Sequence, residues 1–164
     1  MTVSNAPRIL IIEDNVFFQR ILEKKMTEAG FEVFIAGDGL TGLDMARRLR
    51  PDLIVLDLML PNMDGHKVCR FIKFDKTLRH IPIVILTSRD TEKDAQLAKQ
   101  VHADAFLVKT MVPSYILKVI SELLERSKLF ELQEVELNGQ KVTYLKRKQP
   151  VEEEVLSLEE EEMP

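Results

Sequence analysis

Short apolar runs and longer amphipathic segments take turns along the first 126 residues. "RILII" (8–12) is an apolar run that stops at Glu13-Asp14. From Val16 to Ala29, Phe17, Ile21, Leu22, Lys25 and Met26 recur at the spacing of one helical face, and Gly30 terminates the helix. "FEVFIA" (31–36) alternates as a strand does and breaks at Gly37-Asp38-Gly39. Leu40, Leu43, Ala46, Arg47 and Leu49 predict a second helix, closed before Pro51. "DLIVLD" (52–57) then reads as a strand apolar on both faces. The rhythm continues with a helix from about Gly65 to Lys76, a strand "IPIVILT" (81–87), and a helix from about Glu92 to Val101. A strand "DAFLVK" (104–109) and a helix from about Val112 to Arg126 complete it. Five short strands alternating with five helices predict parallel pairing through helical crossovers, a doubly wound α/β sheet. Strands 1, 3 and 4 are apolar on both faces, as interior strands of such a sheet must be.

Ligands of open α/β sheets bind outside the carboxyl ends of the strands, so what each strand ends with is informative. Strand 1 ends in Glu13 and Asp14, strand 3 in Asp57, strand 4 in Thr87-Ser88 and strand 5 in Lys109. Three carboxylates brought close together repel unless something neutralises them. A hard divalent cation does so through oxygen ligands, and Mg²⁺ (or Mn²⁺) typically uses one or two carboxylates and keeps several waters. Carboxylates also act as nucleophiles that form aspartyl-phosphates. Asp57 alone ends its strand, which makes it the natural nucleophile, and the pair Glu13-Asp14 the natural metal holders. Lys109 would neutralise phosphoryl oxygens and Thr87 would offer a hydroxyl, and phosphoryl transfer needs little beyond such positioning and neutralisation.

Composition narrows the alternatives. With 45% hydrophobic and 30% charged residues, the chain of 164 reads as an ordinary globular protein, expected in the cytoplasm for want of a signal-peptide pattern at Met1–Pro7. No apolar run approaches the ~20 residues of a membrane helix. Cys69 stands alone, which excludes a disulfide framework and suits a small side chain packed on a helix. Residues 1–125 hold 17 basic and 17 acidic residues, whereas 126–164 hold 6 and 10, which is the whole net charge of −4. There is thus no basic face of the kind DNA binding needs, and the triplet Lys146-Arg147-Lys148 reads as a solvated turn or strand end. No glycine-rich phosphate loop follows strand 1, which leaves nucleotide and flavin binding without support.

The acidic pair Glu13-Asp14, "LDLMLPNMDG" around Asp57, "ILTS" with Thr87, and Lys109 in "DAFLVK" together resemble the receiver domain of two-component response regulators over about residues 7 to 126. The resemblance implies a sheet of order 2-1-3-4-5 and phosphorylation of Asp57 by a sensor histidine kinase or phosphotransfer protein. It implies Mg²⁺ held by Asp14, Asp57 and the Met59 carbonyl, with Glu13 acting through water. It also implies a switch in which Thr87 moves toward the phosphoryl group and Phe106 turns inward, altering a face read by a downstream protein effector. One departure stands out. Receivers usually place a proline, often after a cis bond, where this chain has Thr110. A cis bond before a non-proline residue costs ~2.5–4 kcal/mol, so a trans bond or a strained cis one, and a rearranged loop before the fifth helix, are expected.

Beyond the receiver (1–126), the 38 residues after Arg126 are expected to be too few for a DNA-binding output domain, and 127–149 read as an extension. It contains "EVELNGQKVTY", and Asn138-Gly139 is a strong hairpin turn signal. Pairing Leu137 with Gln140 sets Glu136 opposite Lys141 and Val135 opposite Val142, a favourable register. An isolated hairpin is marginal in water, so it should pack on the receiver or on a second chain as a homodimer. The tail 150–164 is acidic and of low complexity, read as solvated, or else as a short helix burying Val151, Val155, Leu156 and Leu158 against a partner. The chain is thus expected to be a stand-alone signalling or relay module rather than an enzyme, its chemistry limited to accepting phosphoryl on Asp57 and slowly losing it. The alternative is a degenerate receiver that docks proteins without phosphorylation. A phosphatase with an aspartate nucleophile is weaker, because its second acid would fall at Met59.

Overall fold

A computed structural model of the chain describes residues 5–88, 91–127 and 129–148. Five strands, β1 (Arg8–Ile12), β2 (Glu32–Ala36), β3 (Leu53–Leu56), β4 (Ile83–Thr87) and β5 (Ala105–Val108), form one parallel sheet in the order 2-1-3-4-5. Helices α1 (Val16–Glu28), α2 (Gly39–Leu49), α3 (Gly65–Lys73), α4 (Glu92–Gln100) and α5 (Pro113–Arg126) are the crossovers. Alternation along each strand sends side chains to two separate cores. Leu10, Ile12, Ile54, Leu56, Ile83 and Ile85 pack with α2, α3 and α4 on one face. Ile9, Ile11, Leu53, Val55, Val84 and Leu86 pack with α1 and α5 on the other. The interior strands β1, β3 and β4 are buried almost throughout, whereas the edge strands β2 and β5 are only partly covered.

The expected elements all form, most with ends trimmed by one to three residues. One stripe is shifted. On α1 the inward residues are Phe18, Leu22 and Met26, at i, i+4 spacing, while Phe17 stands out 75% exposed. Phe18 rather than Phe17 lies on the row of Leu22 and Met26, and one position along a helix turns a side chain by ~100°. On α2, Gly39, Gly42, Leu43 and Ala46 face inward and Leu40 is exposed. Cys69 is fully buried on α3, and burial pushes its thiol up to about 12, so it is an inert packing group.

Strands β6 (Phe130–Leu137) and β7 (Gln140–Arg147) form the antiparallel hairpin in the expected register, with Val135 facing Val142 and Glu136 facing Lys141. Positive φ at both Asn138 (52°) and Gly139 (77°) is what a two-residue turn of this hand requires. The open end of the hairpin docks on the receiver itself. Phe130 and Leu145 are buried in the core shared with α1 and α5. Arg147 departs from the expected solvated strand end: its guanidinium lies over the Phe130 ring (4.7 Å) and donates to Asp52 Oδ2 (2.7 Å). The tail 150–164 lies outside the described residues.

Candidate functional site: an acidic pocket at the carboxyl rim

Each rim residue is delivered by the strand that precedes it. Backbone pairing carries β1 one residue past the sheet edge, with Glu13 N–H donating to the Ala36 carbonyl (3.0 Å). Glu13 is buried, and Asn15 N–H donates to its Oε1 (3.1 Å) while Asn15 caps α1 by accepting from Phe18 N–H (2.9 Å). Gln19 donates from Nε2 to the Glu13 carbonyl, which fixes the chain at the mouth of α1. Asp57 N–H donates to the Ile12 carbonyl (3.0 Å), so the end of β3 is tied to the end of β1 and Asp57 is buried beside Glu13. Gly65 closes the far side. A Cβ on Gly65 would stand 2.2 Å from the Asp57 carbonyl oxygen, so only glycine lets the start of α3 pass this closely.

Carboxylate oxygens of Glu13, Asp14 and Asp57 lie within 4.8 Å of one another, with Asp14 exposed and the other two buried. Lys109 is the cation among them. Its Nζ donates to Glu13 Oε1 (3.0 Å), lies 2.8 Å from Glu13 Oε2, and donates to Asp57 Oδ2 (3.2 Å). Burial pushes the Glu13 carboxyl above its usual range, and the Asp57 charge adds to this against the pull of Lys109. For Lys109, burial opposes the charge, but the bonds and charges of Glu13 and Asp57 prevail and raise its pKa. Two of the three clustered carboxylates share one lysine and Asp14 lies beside them, so the pocket is short of positive charge.

The other residues expected at the site are placed as follows. Thr87 ends β4 buried, and its carbonyl accepts from Lys109 N–H (2.8 Å). Ser88 follows it and is exposed. Met59 is largely exposed, and its N–H reaches Asp57 Oδ1 (3.4 Å), which sets its backbone beside the pocket. Phe106 is half-buried and packs against the α2–α3–α4 core rather than beside the carboxylates. The bond before Thr110 is trans, Met111 N–H closes a turn onto the Val108 carbonyl (3.0 Å), and Pro113, three residues on, opens α5. With this loop Lys109 still reaches Asp57. Sequence reasoning missed Phe18, whose ring lies 4.5 Å from Lys109 Nζ and covers the lysine from the α1 side. The signal for it was faint: Phe18 sits four residues before Leu22 on the inward row of α1.

Oxygen donors of this kind, two buried and one open to solvent, suit a hard divalent cation that keeps water on its exposed side. A doubly wound sheet of order 2-1-3-4-5 with an acid cluster and a lysine at its carboxyl rim is the architecture of signal-receiver domains. A family model described as the response regulator receiver domain matches residues 9–121, and the chain belongs to that family. It is similar to the response regulator PleD of Caulobacter vibrioides, with 41% identity over 137 residues covering 82% of this chain and 30% of PleD. The chain thus spans about a third of the length of that curated relative. Among solved structures it is similar to the receiver domain of a signal transduction histidine kinase from Syntrophus aciditrophicus (28% identity, 81% of this chain, 99% of the other, TM-score 0.71). It is also similar to the BeF3-activated receiver domain of RstA from Klebsiella pneumoniae (27% identity, 71% and 97% covered, TM-score 0.66). Among the described residues, no helix is long and apolar enough to cross a membrane.

Proposed function

We propose that this domain accepts a phosphoryl group on Asp57 and uses it to switch a face that binds a protein partner. The observation that supports this reading most directly is Lys109 held between buried Glu13 and Asp57, with Asp14 open at the mouth. A carboxylate oxygen of Asp57 attacks the phosphorus of a phosphohistidine on a sensor kinase or phosphotransfer protein. The acyl–phosphate P–O bond forms, the P–N bond breaks, and its electron pair returns to the imidazole, which takes up a proton. Lys109 is placed to balance charge on the incoming phosphoryl oxygens, and Thr87 ends the neighbouring strand with a hydroxyl to offer them. A divalent cation held by Asp14, Asp57 and the Met59 carbonyl would supply the remaining positive charge. No further turnover is proposed: the domain accepts phosphoryl and slowly loses it to water, in the cytoplasm.

Incubation of the full chain with Mg²⁺ and a small phosphodonor, followed by intact-mass measurement, tests this. The expected result is the mass gain of one phosphoryl group, dependent on the cation and absent from Asp57→Asn. No gain on the unaltered chain would overturn the reading in favour of a receiver that docks without phosphorylation.

A further inference from the structure

Away from the rim, α2 and α3 enclose an open groove of about 1090 Å³ that the proposed chemistry does not use. Lys67, Arg70, Phe71 and Phe74 follow one another along the outward face of α3 at helical spacing. Phe71 is 50% exposed and Phe74 65%, with the Phe74 ring edge-on to His102 (5.9 Å), so both present apolar surface to water. Arg47 on the last turn of α2 completes a basic rim. The acids at the groove are already engaged: Asp64 caps α3 through His66 N–H (2.8 Å), and Asp75 accepts from Thr77 N–H (2.8 Å). Lys67 and Arg70 form no ion pair among the described residues. An apolar floor under unpaired cations calls for a ligand that is both acidic and aliphatic.

Residues 149–164 have that chemistry. They carry seven glutamates, no lysine or arginine, and Val151, Val155, Leu156 and Leu158 between the acidic runs. They also start from the right end of the molecule. Lys148 N–H is bound to the Leu129 carbonyl (2.8 Å) and Arg147 to Asp52. Asp52 in turn accepts from Arg8 N–H, and the Arg8 guanidinium holds the Leu49 carbonyl at the end of α2. Sixteen residues extend up to ~50 Å, far more than the ~14 Å length of α3. Attachment gives the segment a local concentration on the order of millimolar, so weak affinity suffices. On the hairpin, Lys141 faces Glu136 and Lys146 faces Glu131, so acidic neighbours offset the positive charge there. We propose that residues 149–164 occupy the α2–α3 groove of their own chain, glutamates on Lys67, Arg70 and Arg47 and aliphatic side chains on Phe71 and Phe74.

A nitroxide on Glu160→Cys in the full chain tests this, since buried Cys69 escapes labelling. Amide signals of residues 67–74 should be broadened at every protein concentration. The broadening should be lost in the Lys67→Glu/Arg70→Glu pair, in the Glu152→Gln/Glu153→Gln/Glu154→Gln triple, and at high salt. Absence of broadening, broadening centred on the hairpin, or persistence in the charge-reversed pair would overturn the proposal. So would broadening in a mixture of spin-labelled and unlabelled, isotope-enriched chains, which would mean that a second copy is the occupant.

Discussion

The two ends of the sheet hold carboxylates in opposite ways. At the amino end, Asp52 and Asp104 each have a cation of their own: Arg147 at 2.7 Å and Lys73 at 2.7 Å. Each also accepts a backbone N–H, from Arg8 and from Ile83 (both 2.8 Å). At the carboxyl end, Glu13 and Asp57 share Lys109, with Asp14 clustered beside them. Both ends sit beside the same apolar strands, so burial alone does not separate them. The balance of charge does. Where every acid has its own base, the pair joins elements: Arg147 pins the hairpin, and Lys73 ties α3 to the start of β5. Where acids outnumber bases, the deficit favours a positively charged ligand.

The largest effect should come from cutting the joint at the amino end. Phe130 is fully buried and also lies under Arg147, so Phe130→Ala should cost about 3–5 kcal/mol in urea unfolding. Leu132, on the same face of the hairpin but 55% exposed, should cost less than ~1 kcal/mol as Leu132→Ala. Equal small losses at both positions would mean that the hairpin is an appendage and not part of the receiver core.

A paired substitution sharpens the comparison more directly. Asp52→Asn leaves the Arg147 guanidinium half-buried beside a neutral partner and should lose roughly 1.5–3 kcal/mol. Asp57→Asn, in buffer free of divalent ions, removes one of the crowded charges and should lose nothing or gain up to ~1 kcal/mol. Urea titrations of the two variants decide it. Similar losses would show that the rim carboxylates are structural after all.

The sequence makes some of these features readable and hides others, for physical reasons. The strand order of polarity was legible because central strands of a parallel sheet are buried on both faces, so the first polar residue after each run marks the rim. Asp57 after "LIVL" is the clearest case, followed by Glu13 after "RILII". The hairpin register was legible from local turn chemistry at Asn138-Gly139. The Arg147–Asp52 clamp was not, because its partners are 95 positions apart and nothing local distinguishes Arg147 from its neighbours Lys146 and Lys148. Phe18 was hidden by Phe17, since two adjacent aromatics offer the helix a choice that only packing against Leu22, Met26 and Lys109 resolves.

The smallest effect isolates the charge deficit itself. A divalent cation that binds only the folded rim stabilises by RT ln(1 + [L]/Kd), about 1.4 kcal/mol when the free ion is at ten times its dissociation constant. Mg²⁺ should therefore raise the urea midpoint of the unaltered chain without changing the slope. The same addition to Asp57→Asn should do far less, because one of three anionic donors is gone, whereas Asp52→Asn should respond as fully as the parent does. A response that survives Asp57→Asn, or one that vanishes with Asp52→Asn, would place the cation somewhere other than the acidic rim. The contrast between the two ends would then have to be explained without a ligand.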